Sequence, residues 1–114
     1  MTLRLANVTF DCTHPPALVA FWSGALDRKI DPDPSPYFAS IGAGDDGAPS
    51  WFFIKVPETK TVKNRVHVDL AAEDRPAEIA RLVVLGATHV TDKDEWGHSW
   101  SVLHDPEGNE FCIS

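Results

Sequence analysis

Asp105-Pro106-Glu107-Gly108-Asn109-Glu110-Phe111 is the stretch from which the rest of the chain can be ordered. Proline in second place presets the backbone for a turn, and glycine in fourth place takes the positive φ that other residues resist. Ser99–His104 before it and Glu110–Ile113 after it are short and rich in β-favouring residues, so the turn joins two strands. Upstream, Thr88–Thr91 reads as another strand. Arg75–Leu85 places Ile79, Leu82, Val83 and Leu85 at helical spacing, and Gly86 stands where a helix stop belongs. Arg65–Ala71 alternates as a strand. The second half therefore reads strand, helix and three strands.

The same order occurs once before. Leu5–Cys12 interleaves apolar and polar residues as a strand, and Pro15 and Pro16 open a helix running to about Leu26. Leu18, Phe21, Trp22 and Ala25 give that helix one apolar face. Arg28–Asp31, Tyr37–Gly42 and Ser50–Val56 follow as strands, the last two joined by the turn-rich stretch 42–47. An offset of 60 residues superposes Val8 on Val68, Phe10 on Leu70, Pro16 on Pro76, Ala17 on Ala77 and Ala20 on Ala80. It also sets Val19 against Ile79 and Trp22 against Leu82. Agreement in residues and in element order points to internal duplication. The expected fold is α+β: a single domain over 1–114, built from two βαβββ modules at about 1–60 and about 61–114. The proline-rich stretch 31–36 is long enough for a loop and too short for a linker.

Composition bounds the function. The 114 residues suffice for one core, and 43% hydrophobic against 24% charged residues is the balance of a globular protein. Ten basic against seventeen acidic residues give a net charge of −7, which repels phosphate backbones and argues against a nucleic-acid partner. No window reaches the ~18 apolar residues of a membrane span, and the start of the chain lacks the apolar stretch of a signal peptide, so a cytoplasmic protein is expected. Two cysteines, Cys12 and Cys112, make neither a disulfide scaffold nor a CxxC zinc pair. There is no GxSxG, P-loop or GxGxxG motif; Gly42-Ala43-Gly44 has no helix after it.

In this order and spacing, three motifs resemble the glyoxalase-like domain of the vicinal oxygen chelate superfamily, which includes glyoxalase I, fosfomycin-resistance enzymes, extradiol dioxygenases and bleomycin-resistance binding proteins. The motifs are the Asp105–Phe111 hairpin, the segment Lys63–Leu70 with its following helix, and Ala20–Leu26 in the first helix. The resemblance covers essentially the whole chain. It implies cupped mixed sheets around an inter-module cavity, with helices outside, and commonly a homodimer. It also implies four metal-ligand positions, which fall at Asn7, about Phe53, His67 and Cys112. Such a site typically holds a divalent ion with His, Glu or Gln. Here only His67 is a strong donor, Asn7 offers an amide oxygen, Phe53 offers nothing, and Cys112 binds only as thiolate. No cofactor is therefore expected; a divalent ion on His67, Cys112 and Asn7 is the alternative.

The remaining chemistry concentrates on few residues. His67 and Asp69 are candidates for acid–base work, with Asp11 equivalent to Asp69 on the first strand; ion pairs with Arg65 or Lys55 are the plainer reading of these carboxylates. Trp51, Phe53 and Trp100 are expected to wall the cavity, with Trp96 on a neighbouring loop as a lid, and Lys55, Arg65 or His67 would fix a polar group. Asn7 and Cys112 complete the expected ligand-binding set. The leading reading is a protein that binds a small aromatic or amphipathic molecule without the usual metal. A metal-dependent lyase, isomerase or dioxygenase of the same superfamily is the second, and a non-catalytic oligomerisation or regulatory domain the third. A homodimer is expected from exposed sheet edges.

Overall fold

The computed structural model describes residues 2–45 and 48–114; the last part of the turn expected over 42–47 lies outside the described residues. The chain divides into two compact units, Met1–Thr59 and Lys60–Ser114.

The first unit comprises β1 (Asn7–Cys12), α1 (Pro15–Leu26), β2 (Phe38–Ile41) and β3 (Ser50–Lys55). Its sheet has the order β1-β3-β2, with β1 parallel and β2 antiparallel to β3. The strand expected at Arg28–Asp31 is reduced to one bridge, Ile30 to Ile41. Pro32, Pro34 and Pro36 follow it closely, and proline cannot donate to a ladder. Pro15 and Pro16 start α1, whose Leu18, Val19, Phe21 and Trp22 are buried. Trp22 packs over Phe10 and Trp51 at ring-centroid distances of 5.6 and 5.0 Å, and Phe10 lies 5.4 Å from Phe53. This aromatic cluster is the core of the first unit.

The second unit comprises β4 (Asp69–Leu70), α2 (Arg75–Leu85), β5 (Thr88–Glu95), β6 (His98–His104) and β7 (Glu110–Ile113), in the sheet order β4-β7-β6-β5. Both units place their first strand parallel to their last. With Ile30 counted beside β2, the two sheets share one order, as duplication requires. Asp74 caps α2 by accepting from the Ala77 N–H, and Gly86 ends it at φ 126°. Leu82, Leu103, Phe111 and Ile113 are buried between α2 and one face of the sheet.

The turn at 105–109 is held by its own hydrogen bonds. Buried Asp105 accepts from the backbone N–H groups of Glu107 and Asn109 at 2.9 and 3.0 Å and from the Asn109 amide, while Gly108 takes φ 83°. Two strands differ from expectation. The strand expected over Arg65–Ala71 starts only at Asp69, with a bend at 65–66. Asn64 is held across the head of β7 through both its N–H and its side chain on Glu110, so pairing begins where Val68 accepts from the Cys112 N–H. β5 runs four residues beyond Thr91, to Glu95, and closes on β6 through Trp96-Gly97. Their φ angles of 53° and 75° make a two-residue turn of the kind that suits the twist of paired strands. Trp96 therefore sits at a tight hairpin tip, not on a long lid loop.

No helix among the described residues is long and apolar enough to cross a membrane.

Candidate functional site

Strand alternation decides which residues meet. In β7, Phe111 and Ile113 point into the core beneath α2, so Glu110 and Cys112 occupy the opposite face. Cys112 pairs with Val102 on one side and Asp69 on the other. That face carries a groove of about 330 Å³ lined by Lys63, His67, Asp69, Trp100, Val102, Glu110 and Cys112.

The groove has a polar end and an apolar end. At the polar end, His67 Nε2 lies 3.4 Å from Asp69 Oδ1. One donor atom from each of His67, Asp69 and Cys112 lies within 4.8 Å of the others. Burial pushes the Cys112 thiol pKa up, and the neighbouring Asp69 carboxylate, by its charge and by accepting from the thiol, pushes it further. Glu110 is anchored by Lys60 at 3.0 Å and by the Asn64 N–H at 2.8 Å, with His104 Nε2 at 3.6 Å. Burial alone would raise the Glu110 pKa, but these hydrogen bonds outweigh it and hold the carboxyl at about 2. At the apolar end, Trp100 presents its ring beside Val102, and Trp96 stacks on it at 6.1 Å and 14°.

The expected site residues separate into those brought together and those set apart. His67, Asp69, Trp100 and Cys112 share the groove. Arg65 is exposed at the bend and does not line it. Asp69 meets His67 in place of Arg65 or Lys55. Lys55 holds its ammonium over the Tyr37 ring at 5.8 Å, beside His14 and Pro36 at the start of α1. Asn7 donates to Thr9 Oγ1 at 2.9 Å and borders a different pocket, with Arg4, Gly42 and Ser50.

Trp51 and Phe53 require correction as cavity walls. Both are buried on the α1 side of their sheet, against Phe10 and Trp22. The register gives the reason. Thr9 pairs with Phe52 as Asp69 pairs with Cys112, so the 60-residue offset relates Cys112 to Phe52 and not to Phe53, and Asp69 to Thr9 and not to the expected Asp11. A slip of one residue moves a side chain to the other face. On the open face of the first sheet, Phe52 and Phe38 meet edge to face at 5.3 Å. The repeat itself carried this signal. Val102 and Glu110 were missed as groove residues, although Glu110 shares parity with Cys112 and Val102 with Trp100.

The donors do not fit the four-position metal site that the resemblance implies. Asn7 is engaged with Thr9 and Phe53 is a core ring, which leaves an imidazole and a thiol. The first unit thus supplies no strong ligand at either of its two positions.

The glyoxalase-like domain family matches residues 7–114. No curated protein matches the chain. Among solved structures, a glyoxalase/bleomycin resistance protein/dioxygenase family enzyme from Burkholderia phytofirmans superposes with a TM-score of 0.76 at 21% identity, over 97% of each chain. A fosfomycin resistance protein from Listeria monocytogenes, complexed with Mn(II) and 1S,2S-dihydroxypropylphosphonic acid, gives 0.79 at 10% identity over 99% of this chain and 90% of that one. A bleomycin-binding protein from Streptomyces verticillus, complexed with copper(II)-bleomycin, gives 0.66 at 17% identity, over 100% of this chain and 98% of that one. The match over residues 7–114 and the shared α+β architecture place this chain in the glyoxalase-like domain family.

Proposed function

We propose that the protein binds a small, flat aromatic or amphipathic molecule in the groove of its second unit, without a metal in the binding step. One observation carries this reading: Trp100 and Val102 lie on the same sheet face as the hydrogen-bonding cluster of His67, Asp69 and Cys112, and together they line one groove of about 330 Å³. Apolar residues of this kind hold a ring by stacking and burial, while a few polar groups fix its orientation. Lys63, at the same groove, suits a negative or strongly polar substituent. His67 and Asp69, 3.4 Å apart, are placed to exchange a proton with such a ligand, which makes them the acid–base candidates if a reaction occurs.

A panel of planar metabolites and antibiotics screened by thermal shift tests the proposal. A stabilising ligand should still act after exhaustive chelation and should lose its effect in W100A. Loss of the shift on chelation, with recovery on adding a divalent ion, would overturn the metal-free reading. It would favour instead a metal-dependent lyase, isomerase or dioxygenase. The clustering of His67, Asp69 and Cys112 is the observation that supports this second reading.

Cytoplasmic residence and homodimerisation belong to the same proposal. β5, the outer strand of the second sheet, is exposed along all eight residues and leaves an open edge. Sedimentation velocity should give a mass of two chains; a single chain across the concentration range would remove the dimer.

A further inference from the structure

Trp96 is a poor choice for the place it occupies. It opens the two-residue turn between β5 and β6 at φ 53°, with Gly97 following at 75°. In turns of this type asparagine, aspartate or glycine usually takes the first position, and a bulky side chain at positive φ is uncommon and strained. Burial does not compensate, since Trp96 is 84% exposed. A residue that suits neither its turn nor a core points to a role outside folding.

Its neighbour is Trp100. The two indoles lie nearly parallel, at 14° with 6.1 Å between centroids, and Trp100 is half-buried in the lining of the groove. A flat ring packed on both faces needs aromatic planes about 7 Å apart, twice the carbon contact distance of roughly 3.5 Å. Turning the exposed Trp96 side chain about its own bonds displaces water and opens that space, while Trp100 stays fixed in β6. Indole faces are electron-rich, so the ring they hold best is electron-poor. Trp100 stands two residues along β6 from Val102, which pairs with Cys112, so the slot lies about 7 Å along the strand from the polar cluster. Lys63 and His67, in the lining of the same groove, suit a carboxylate or similar oxygen carried on that ring.

We propose that Trp96 and Trp100 form a two-walled slot that holds an electron-poor planar ring between their indoles. The ligands of the groove are then arenes of this class that bear a carboxylate or a similar oxygen. The proposal rests on the groove being the binding surface, and it adds a second wall and the electronic character of the ring. Trp96 is kept at the hairpin tip for its indole, at a cost to the turn.

The test compares two probes of like shape and charge, 3,5-dinitrobenzoate and 3,5-dimethoxybenzoate. Both are titrated into the full-length chain by calorimetry and by NMR of the four tryptophan indole N–H signals and the His67 ring. The dinitro ring should bind at least about tenfold more tightly, the scale of a stacking preference, and should move the Trp96 and Trp100 signals together. W96F should keep most of that affinity. W96N, which suits the turn, should lose at least about tenfold of it while the melting temperature stays unchanged or rises. Equal affinity for the two probes, no binding of the dinitro probe at millimolar concentration, or undiminished binding in W96N would overturn the slot. A melting temperature that falls in W96N would show that Trp96 serves the fold, and would overturn it as well. If Trp100 and His67 respond while Trp96 stays silent, the slot fails and the groove reading stands. If neither Trp100 nor His67 responds to a bound probe, the groove reading fails and the slot with it.

Discussion

Glu110 does two jobs with one carboxylate. It fastens Lys60 and Asn64 to the head of β7 and thereby fixes the segment that leads to His67. Its folded-state pKa of about 2 lies below the ordinary value, so its stabilisation is fully present above the unfolded-state pKa and fades as pH falls from about 4.5 towards 2. E110Q should therefore unfold more easily at pH 7, by roughly 1–3 kcal/mol in urea titrations. The gap between variant and wild type should close on approaching pH 2; a gap that is constant with pH would show that the charge is not what binds the segment. Asp105 organises its own turn by accepting hydrogen bonds. D105A removes the acceptor of four hydrogen bonds in a buried position and should cost about 2–4 kcal/mol. The motif 105–111 announced the turn but not this second role of Glu110, because a sequence does not show which distant residues a carboxylate will reach.

At the scale of elements, both helices and the last strand were readable nearly to the residue, because caps, prolines and apolar spacing agree there. β5 was read too short. Asp92, Lys93, Asp94 and Glu95 look like a solvated loop, yet they continue an edge strand whose faces need no apolar residues. The face of β3 was read wrongly because Trp51, Phe52 and Phe53 form an unbroken aromatic run, and hydrophobicity alone cannot choose between its two parities. The register can be tested by truncation. F53A should lose about 3–5 kcal/mol, the usual cost of emptying a core site, while F52A, at a half-buried position on the other face, should lose no more than about half as much. Equal or reversed losses would contradict the pairing of Phe52 with Thr9. The stop of α2 gives a second test. At Gly86 the φ of 126° is strained for any side chain, and an added Cβ would meet the Pro106 ring at 3.3 Å, so G86A should lower stability by about 1–2 kcal/mol.

For the molecule as a whole, internal duplication is consistent with two short sequences of elements sharing one sheet order, while the residues on the faces away from the helices differ between the units. The second unit presents His67, Asp69 and Cys112; at the matching sheet positions the first presents Thr9 and Phe52. The fold was legible because it is encoded many times over, in spacing, caps and turns. Of the groove lining, Trp100 and Cys112 follow from strand parity, whereas His67 lies ahead of β4 and was placed by the resemblance and the 60-residue offset. The central claim is that the groove beside Trp100 is the binding surface. Its most direct test is an amide-resolved NMR titration of chelated protein with the best-stabilising planar ligand. Perturbations concentrated at His67, Asp69, Trp100, Val102 and Cys112, and abolished in W100A, are the predicted result. Perturbations confined to other surfaces, or unchanged in W100A, would contradict it.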